Sequence, residues 1–200
     1  MQFDRGKFFS SYRDAFGPLR QEQVDGLNAL LAAFETQAII SDVRHIAYCL
    51  ATTKHETADT FQPIEEYGKG RNHAYGVPTG QWHQVYDGRG DVQLTWERNY
   101  QHATDRLHQL GLLDPALSLD QDPTLVLRSD LAANILIIGM AEGWFTGRKL
   151  SDFIQDSACN YVGARRIING LDRAELIAGY ATQFEAVLRS SLVEEADAQG

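Results

Sequence analysis

The chain has 200 residues, 44% hydrophobic and 22% charged, a globular composition with enough apolar material for one self-supporting domain. A formal charge of −9 speaks against nucleic-acid binding, which relies on a basic face. Two cysteines with no Cys-x-x-Cys pair speak against a zinc knuckle or a thioredoxin-like motif.

The N-terminal run Met-Gln-Phe-Asp-Arg-Gly-Lys-Phe-Phe has no apolar h-region, so the expectation is a chain made in the cytoplasm without a signal peptide. Phe3 to Phe16 is predicted as a first helix, closed by Gly17-Pro18, and Arg20 to Glu35 as a second. In the second, Val24, Leu27, Leu30, Leu31 and Phe34 recur at three- and four-residue steps and form one apolar stripe. A third helix starts with Ser41 or Asp42 as N-cap, buries Val43, Ile46, Ala47 and Leu50, and runs to about Thr53. His55 and Glu56 then fall at or just past its last turn. The negative end of the helix dipole and burial both favour the neutral form of a glutamate there, as a general acid requires.

Between Phe61 and Gly90 the pattern changes. Glycines 68, 70, 76, 80, 88 and 90 alternate with Phe61, Tyr67, Tyr75, Trp82 and Tyr86. This mixture predicts an ordered irregular lobe lining a cleft, with a short strand around Gln84 to Tyr86. Helices are predicted again over Thr95–Leu110, Leu127–Gly143, Lys149–Gln155 and Arg173–Ser190. The longest apolar stretch, Ala132 to Ala141, is about half the length a membrane span needs, so no stable membrane insertion is expected. Cys49 sits in an apolar stretch and reads as a buried free thiol, with a Cys49–Cys159 disulfide as the alternative.

Three carboxylates, Glu56, Glu65 and Glu66, crowd together where the third helix meets this lobe. Glycoside hydrolysis needs two such groups, one to protonate the leaving oxygen and one to attack or to activate water. His55-Glu56 lacks the second histidine of His-Glu-x-x-His, because Asp59 stands at that position; no metal or cofactor is therefore expected. Gly88-Arg89-Gly90 lacks the Gly-Lys-Ser/Thr of a phosphate loop; Arg89 is placed to clamp a carboxylate. Gln93, Thr95 and Asn99 follow, with amides and a hydroxyl suited to sugar hydroxyls and N-acetyl groups, or with Thr95 as a helix cap. Tyr67, Tyr75, Trp82, Tyr86 and Trp96 are candidates for stacking on sugar rings, against the alternative of core packing.

In order, four segments resemble glycoside hydrolase family 19, the plant-type chitinase family, and its endolysin-like branch in particular. They are His55-Glu56-Thr57; Tyr86-Asp87-Gly88-Arg89-Gly90-Asp91-Val92-Gln93-Leu94-Thr95-Trp96 with Asn99-Tyr100; Asp122-Pro123 with Gly143-Trp144-Phe145-Thr146-Gly147; and Ile167-Ile168-Asn169-Gly170. The resemblance spans about residues 20 to 190. It implies a mainly α, lysozyme-like, two-lobed fold with a small irregular, β-containing lobe lining the cleft. One catalytic domain would occupy residues 1–200, without a separate wall-binding domain. The implied reaction is single-displacement hydrolysis with inversion. Glu56 would be the general acid, Glu65 or Glu66 the base, and Thr95 the holder of the attacking water. Tyr86, Arg89, Gln93, Asn99 and Asn169 would bind substrate, and Arg89 and Arg166 would organise charge. Asp87 and Asp91 depart from the residues often found at those positions. The expected activity is a peptidoglycan hydrolase of muramidase type, acting as a monomer after holin-like release, with a chitinase as the alternative. An inactive glycan-binding domain is the reading from another class.

Overall fold

Residues 1–193 are described in the computed structural model. The first helix, α1 (Arg5–Phe16), begins when the Asp4 side chain accepts from the Lys7 amide and ends at Gly17, whose φ is 92°. Phe3 stays outside it and bridges Leu192 near the other end of the described chain. In α2 (Gln21–Thr36) the stripe Leu27, Leu30, Leu31 and Phe34 is buried. A Cβ at Gly26 of this helix would lie 2.0 Å from the Phe61 carbonyl oxygen, so the start of the irregular lobe rests directly on α2.

Asp42 caps α3 (Val43–Glu56), which runs three residues beyond the predicted end. Ala51, Thr52 and Thr53 are buried, so packing carries the helix through β-branched residues that alone disfavour it. The helix α3 lies along α7 (Ala174–Ser191), which also holds α1, while α2 packs on α5 (Ser129–Glu142). Apolar on nearly every side, α5 is the central helix. One continuous set of buried apolar side chains joins these helices, from Phe3 to Leu188. Among the described residues, no helix is long and apolar enough to cross a membrane.

The irregular lobe is pinned by one short ladder. Strands β1 (Ile64–Glu65) and β2 (Arg89–Gly90) pair antiparallel, with Ile64 opposite Gly90 and Glu65 opposite Arg89. Gly90 has φ 86°, and a Cβ there would meet Val126 Cγ1 at 2.9 Å, so both backbone shape and space call for glycine. The strand predicted at Gln84–Tyr86 is absent. Gln84 makes a single bridge to Thr79, and the regular pairing sits either side of that segment. The helix predicted over Lys149–Gln155 is likewise replaced. A 3₁₀ turn at Leu150–Asp152 leads into a hairpin of β3 (Ile154–Gln155) and β4 (Ala158–Cys159).

Two further helices frame the site. These are α4 (Glu97–Gln109) and the short α6 (Tyr161–Ala164), which continues into a 3₁₀ turn at Arg165–Ile167. Thr95 does not cap α4. The N-cap position is Trp96, with φ 71° and no side-chain cap bond. Cys49 is buried, Cys159 is exposed, and both thiols are free, so the disulfide alternative does not hold.

Candidate active site

Four chain segments converge on one cleft of about 260 Å³. The end of α3 supplies Glu56, the loop before α4 supplies Val92, Gln93, Thr95 and Trp96, and the first turn of α4 supplies Arg98 and Asn99. Phe145 follows α5, and Ile168 and Asn169 follow the 3₁₀ turn after α6. Phe145 is seated against Gly139, where a Cβ would come within 2.5 Å of its ring. The wall also carries backbone strain. Gln93 and Trp96 both have positive φ, 55° and 71°, a conformation that non-glycine residues keep only where the surroundings impose it.

The side chain of Glu56 is 15% exposed, and its Oε1 accepts a 2.6 Å bond from Arg165 Nη1. Arg165, itself only 4% exposed, also donates through Nε to the Asp172 carbonyl at 3.1 Å. A charge-assisted bond from an immobilised guanidinium fixes one carboxyl oxygen, and the other accepts from no donor among the described residues. The arginine expected to organise this charge was Arg166. Arg166 is exposed, and its carbonyl accepts from Thr146 Oγ1.

The amides are differentiated by their own bonds. Gln93 Nε2 donates to the Ile64 and Gly90 carbonyls at 3.3 and 3.5 Å, and Asn99 Nδ2 donates to the Thr95 carbonyl at 2.8 Å. Their oxygens are left as acceptors. Asn169 Oδ1 accepts from the Gly170 amide at 2.8 Å, which leaves its NH₂ as a donor. An acetamido group carries one N–H and one carbonyl, so it complements this set. Thr95 adds a hydroxyl without a protein partner among the described residues.

Glu56, Gln93, Thr95, Asn99 and Asn169 are thus brought together as the sequence led us to expect; Tyr86, Arg89, Glu65 and Glu66 lie outside that lining. Tyr86 is fully buried, its ring tilted against Tyr100 and its hydroxyl donating to the Asp120 carbonyl at 2.9 Å. Its hydroxyl proton is spent on that carbonyl, and the residue borders the depression beside the cleft, not the cleft itself. Arg89 is also buried, and its donors are spent within the protein. Nε and Nη2 bind Glu65 Oε1 at 3.1 and 2.9 Å, and Nη1 binds the Val85 carbonyl and the Tyr100 hydroxyl. It clamps a carboxylate and does not line the cleft. Of the aromatic candidates, Trp96 is 43% exposed on the cleft wall, with Tyr75 edge-on to it at 5.4 Å. A second depression of about 310 Å³ adjoins the cleft, lined by Tyr75, Thr79, Trp96, Glu97 and Arg98 among others.

Burial pushes the carboxyl of Glu65 up, but bonds from Lys69 and Arg89 outweigh it and hold the group below the usual carboxylate range. Lys69 Nζ stands 3.0 Å from Oε2. Glu66 differs, for it has no ion pair among the described residues, and its Oε2 accepts from the Gly88 amide at 3.3 Å. The two departures, Asp87 and Asp91, are buried and lie outside the cleft lining. Asp87 Oδ1 lies 2.6 Å from Arg89 Nη2, an ionic contact out of line for a hydrogen bond. Burial pushes Asp91 up to about 7, and its Oδ1 has no hydrogen-bond partner among the described residues.

Asp91 carries a stability prediction. An unfolded aspartate titrates near ~3.9. Between that value and about 7 the folded chain keeps a proton that the unfolded chain releases, so stability falls as pH rises through this window. Asp91→Asn keeps the shape and removes the titration. Its melting temperature is expected to match wild type near pH ~4 and to exceed it by several degrees above pH ~7, read by thermal denaturation across pH.

No family model matches the chain. An acidic endochitinase from Dioscorea japonica is 32% identical over 132 residues, covering 64% of this chain and 47% of the relative. The chain therefore spans about half the length of the curated relative it matches. Chitinase C from Streptomyces griseus HUT6037 superposes on 92% of this chain and 76% of its own, with a TM-score of 0.52 and 22% identity. A mutant of chitinase C covers 96% of this chain and 95% of its own, with a TM-score of 0.50 and 22% identity. The chain has the lysozyme-like fold of glycoside hydrolase family 19. Within this family 19 fold, four lining residues escaped the sequence reading, namely Val92, Arg98, Phe145 and Ile168. Val92, Phe145 and Ile168 stand inside the quoted motifs, and Arg98, between Trp96 and Asn99, is the one of the four that brings a charge.

Proposed function

We propose that the chain is a glycoside hydrolase cutting β-1,4 links in an N-acetylated amino-sugar polymer, by single displacement with inversion. The observation that carries this reading is the lining of the Glu56 cleft. A single anchored carboxyl faces amide acceptors, an amide donor and a hydroxyl, the set a sugar chain complements. Glu56 delivers a proton to the leaving oxygen. Glu65, kept ionised by Arg89 and Lys69, takes one from the attacking water, which Thr95 helps to hold. Gln93, Asn99 and Asn169 orient the acetamido group.

A chitin-like strand is supported by the relatives, which are named chitinases. A peptidoglycan strand, cut between N-acetylmuramic acid and N-acetylglucosamine, is favoured by one observation, the cation Arg98 on the cleft wall, which has no ion pair among the described residues. In that reading the chain acts alone and without cofactor on a wall polymer reached after release from the cytoplasm.

Product analysis tests both substrates. Purified peptidoglycan and N-acetylglucosamine oligosaccharides are incubated with the protein, and products are read by mass spectrometry and by NMR of the new anomeric centre. The expected result is new reducing ends that appear first as the α anomer. No new reducing end from either polymer would overturn the glycosidase reading.

A further inference from the structure

Among the residues lining the Glu56 cleft and the adjoining depression, Arg98 is the one basic side chain, and it stands on the wall that both share. It is exposed, and among the described residues it has no ion pair and no side-chain hydrogen bond. Two arginines beside the site are spent, Arg165 on Glu56 and Arg89 on Glu65, and the exposed Arg166 does not line the cleft. Arg98 is also the second residue of α4, so the positive end of that helix reinforces its charge. In a chain of net charge −9, this is a local exception placed where substrate would lie.

We propose that Arg98 is a specificity-determining residue that binds a carboxylate carried on a sugar substituent next to the scissile link. The inference rests on the glycosidase reading and sharpens its substrate class. A strand of N-acetylglucosamine alone offers hydroxyls and acetamido groups, already matched by Gln93, Asn99, Asn169 and Thr95. It leaves the guanidinium without a charged partner. A strand containing N-acetylmuramic acid adds a lactyl ether at alternate sugars. That ether ends in a free carboxylate where the stem peptide has been removed, and otherwise in an amide to a peptide bearing its own carboxylates. A guanidinium meets a carboxylate through two parallel N–H donors, which gives direction as well as attraction. Because Glu56 and Arg98 line the same cleft of about 260 Å³, the carboxylate read by Arg98 belongs to a sugar at or beside the bond that Glu56 serves.

The test is a ratio of specificities. The kcat/KM is measured on peptide-free muramic-acid-containing strands, on intact peptidoglycan strands and on the same strands with carboxyls reduced to alcohols. Each is divided by kcat/KM on N-acetylglucosamine oligosaccharides. In Arg98→Gln the ratio for unreduced strands is expected to fall by about tenfold, the size of one charge-assisted hydrogen bond. Reducing the carboxyls should lower the wild-type ratio by a similar factor, and Arg98→Lys should recover part of the loss. A fall on peptide-free strands assigns the lactyl carboxylate, and a fall on intact strands alone assigns the stem peptide. A ratio unchanged within about twofold in Arg98→Gln, or a lysine variant as low as the glutamine one, would overturn the proposal. Should wild type cleave neither polymer, the glycosidase reading fails, and the binding arm decides Arg98 by itself. The Kd ratio of acidic to neutral strands is then measured with and without Arg98→Gln in the Glu56→Gln background, with the same tenfold effect expected and its absence equally fatal.

Discussion

Glu56→Gln is expected to lower kcat by about 10²–10⁴-fold while oligosaccharide still binds, because an amide cannot give up a proton to a leaving oxygen. The substitution is close to isosteric. Glutamine keeps an oxygen for Arg165 Nη1, so the 2.6 Å anchor and the end of α3 are preserved in neutral form. Among the described residues no other carboxylate lines the cleft, so none of them is placed to take over the role. The measurement is a single-turnover rate beside a calorimetric Kd. A kcat within about tenfold of wild type would move the acid elsewhere and, with it, the reaction coordinate drawn through this cleft. A lost Kd at unchanged melting temperature would make Glu56 a binding group instead.

What the sequence disclosed about this site follows from how local each signal was. Glu56 was legible because the apolar stripe of α3 is periodic and Asp42 marks its start, so its last turn is located within a few residues. Gln93, Thr95 and Asn99 were legible because they sit on one short segment whose order mirrors a known motif. The arginine that holds Glu56 was not. Arg165 and Arg166 are adjacent and chemically identical, and only the packing of the 3₁₀ turn after α6 buries one and exposes the other. Tyr86, which borders the adjoining depression and not the Glu56 cleft, was ambiguous for a related reason. An aromatic residue in a glycine-rich segment suits stacking on sugar as well as filling a core, and the Asp120 carbonyl that captures its hydroxyl lies 34 residues away. The β3–β4 hairpin was read as helix because its strands have two residues each, too short for an alternating pattern. Its turn passes through Asp156 with φ 52°, followed by serine in place of the glycine that announces such turns.

Glu65→Gln and Glu66→Gln are expected to separate sharply, the first losing about a hundredfold or more in kcat and the second much less. The sequence left these neighbours equivalent; their surroundings do not. Glu65 is opposite Arg89 in the β1–β2 ladder and next to Ile64, whose carbonyl Gln93 binds from the cleft wall. Arg89 and Lys69 hold its carboxyl below the usual range despite burial, so it stays a proton acceptor in mildly acidic solution. The sign of the pH dependence follows. A base must be ionised to act, so the acid limb of kcat should fall below the ordinary glutamate pKa of about 4.3. Lys69→Gln removes one of the two cations and should move that limb to higher pH while leaving the alkaline limb in place. A merely structural Glu65 would lower activity at every pH without shifting the limb. Equal mild losses in both glutamine variants would place the base on neither residue. An acid limb unmoved by Lys69→Gln would separate the Arg89–Glu65–Lys69 cluster from proton transfer and leave it as the clasp that holds the lobe to β2.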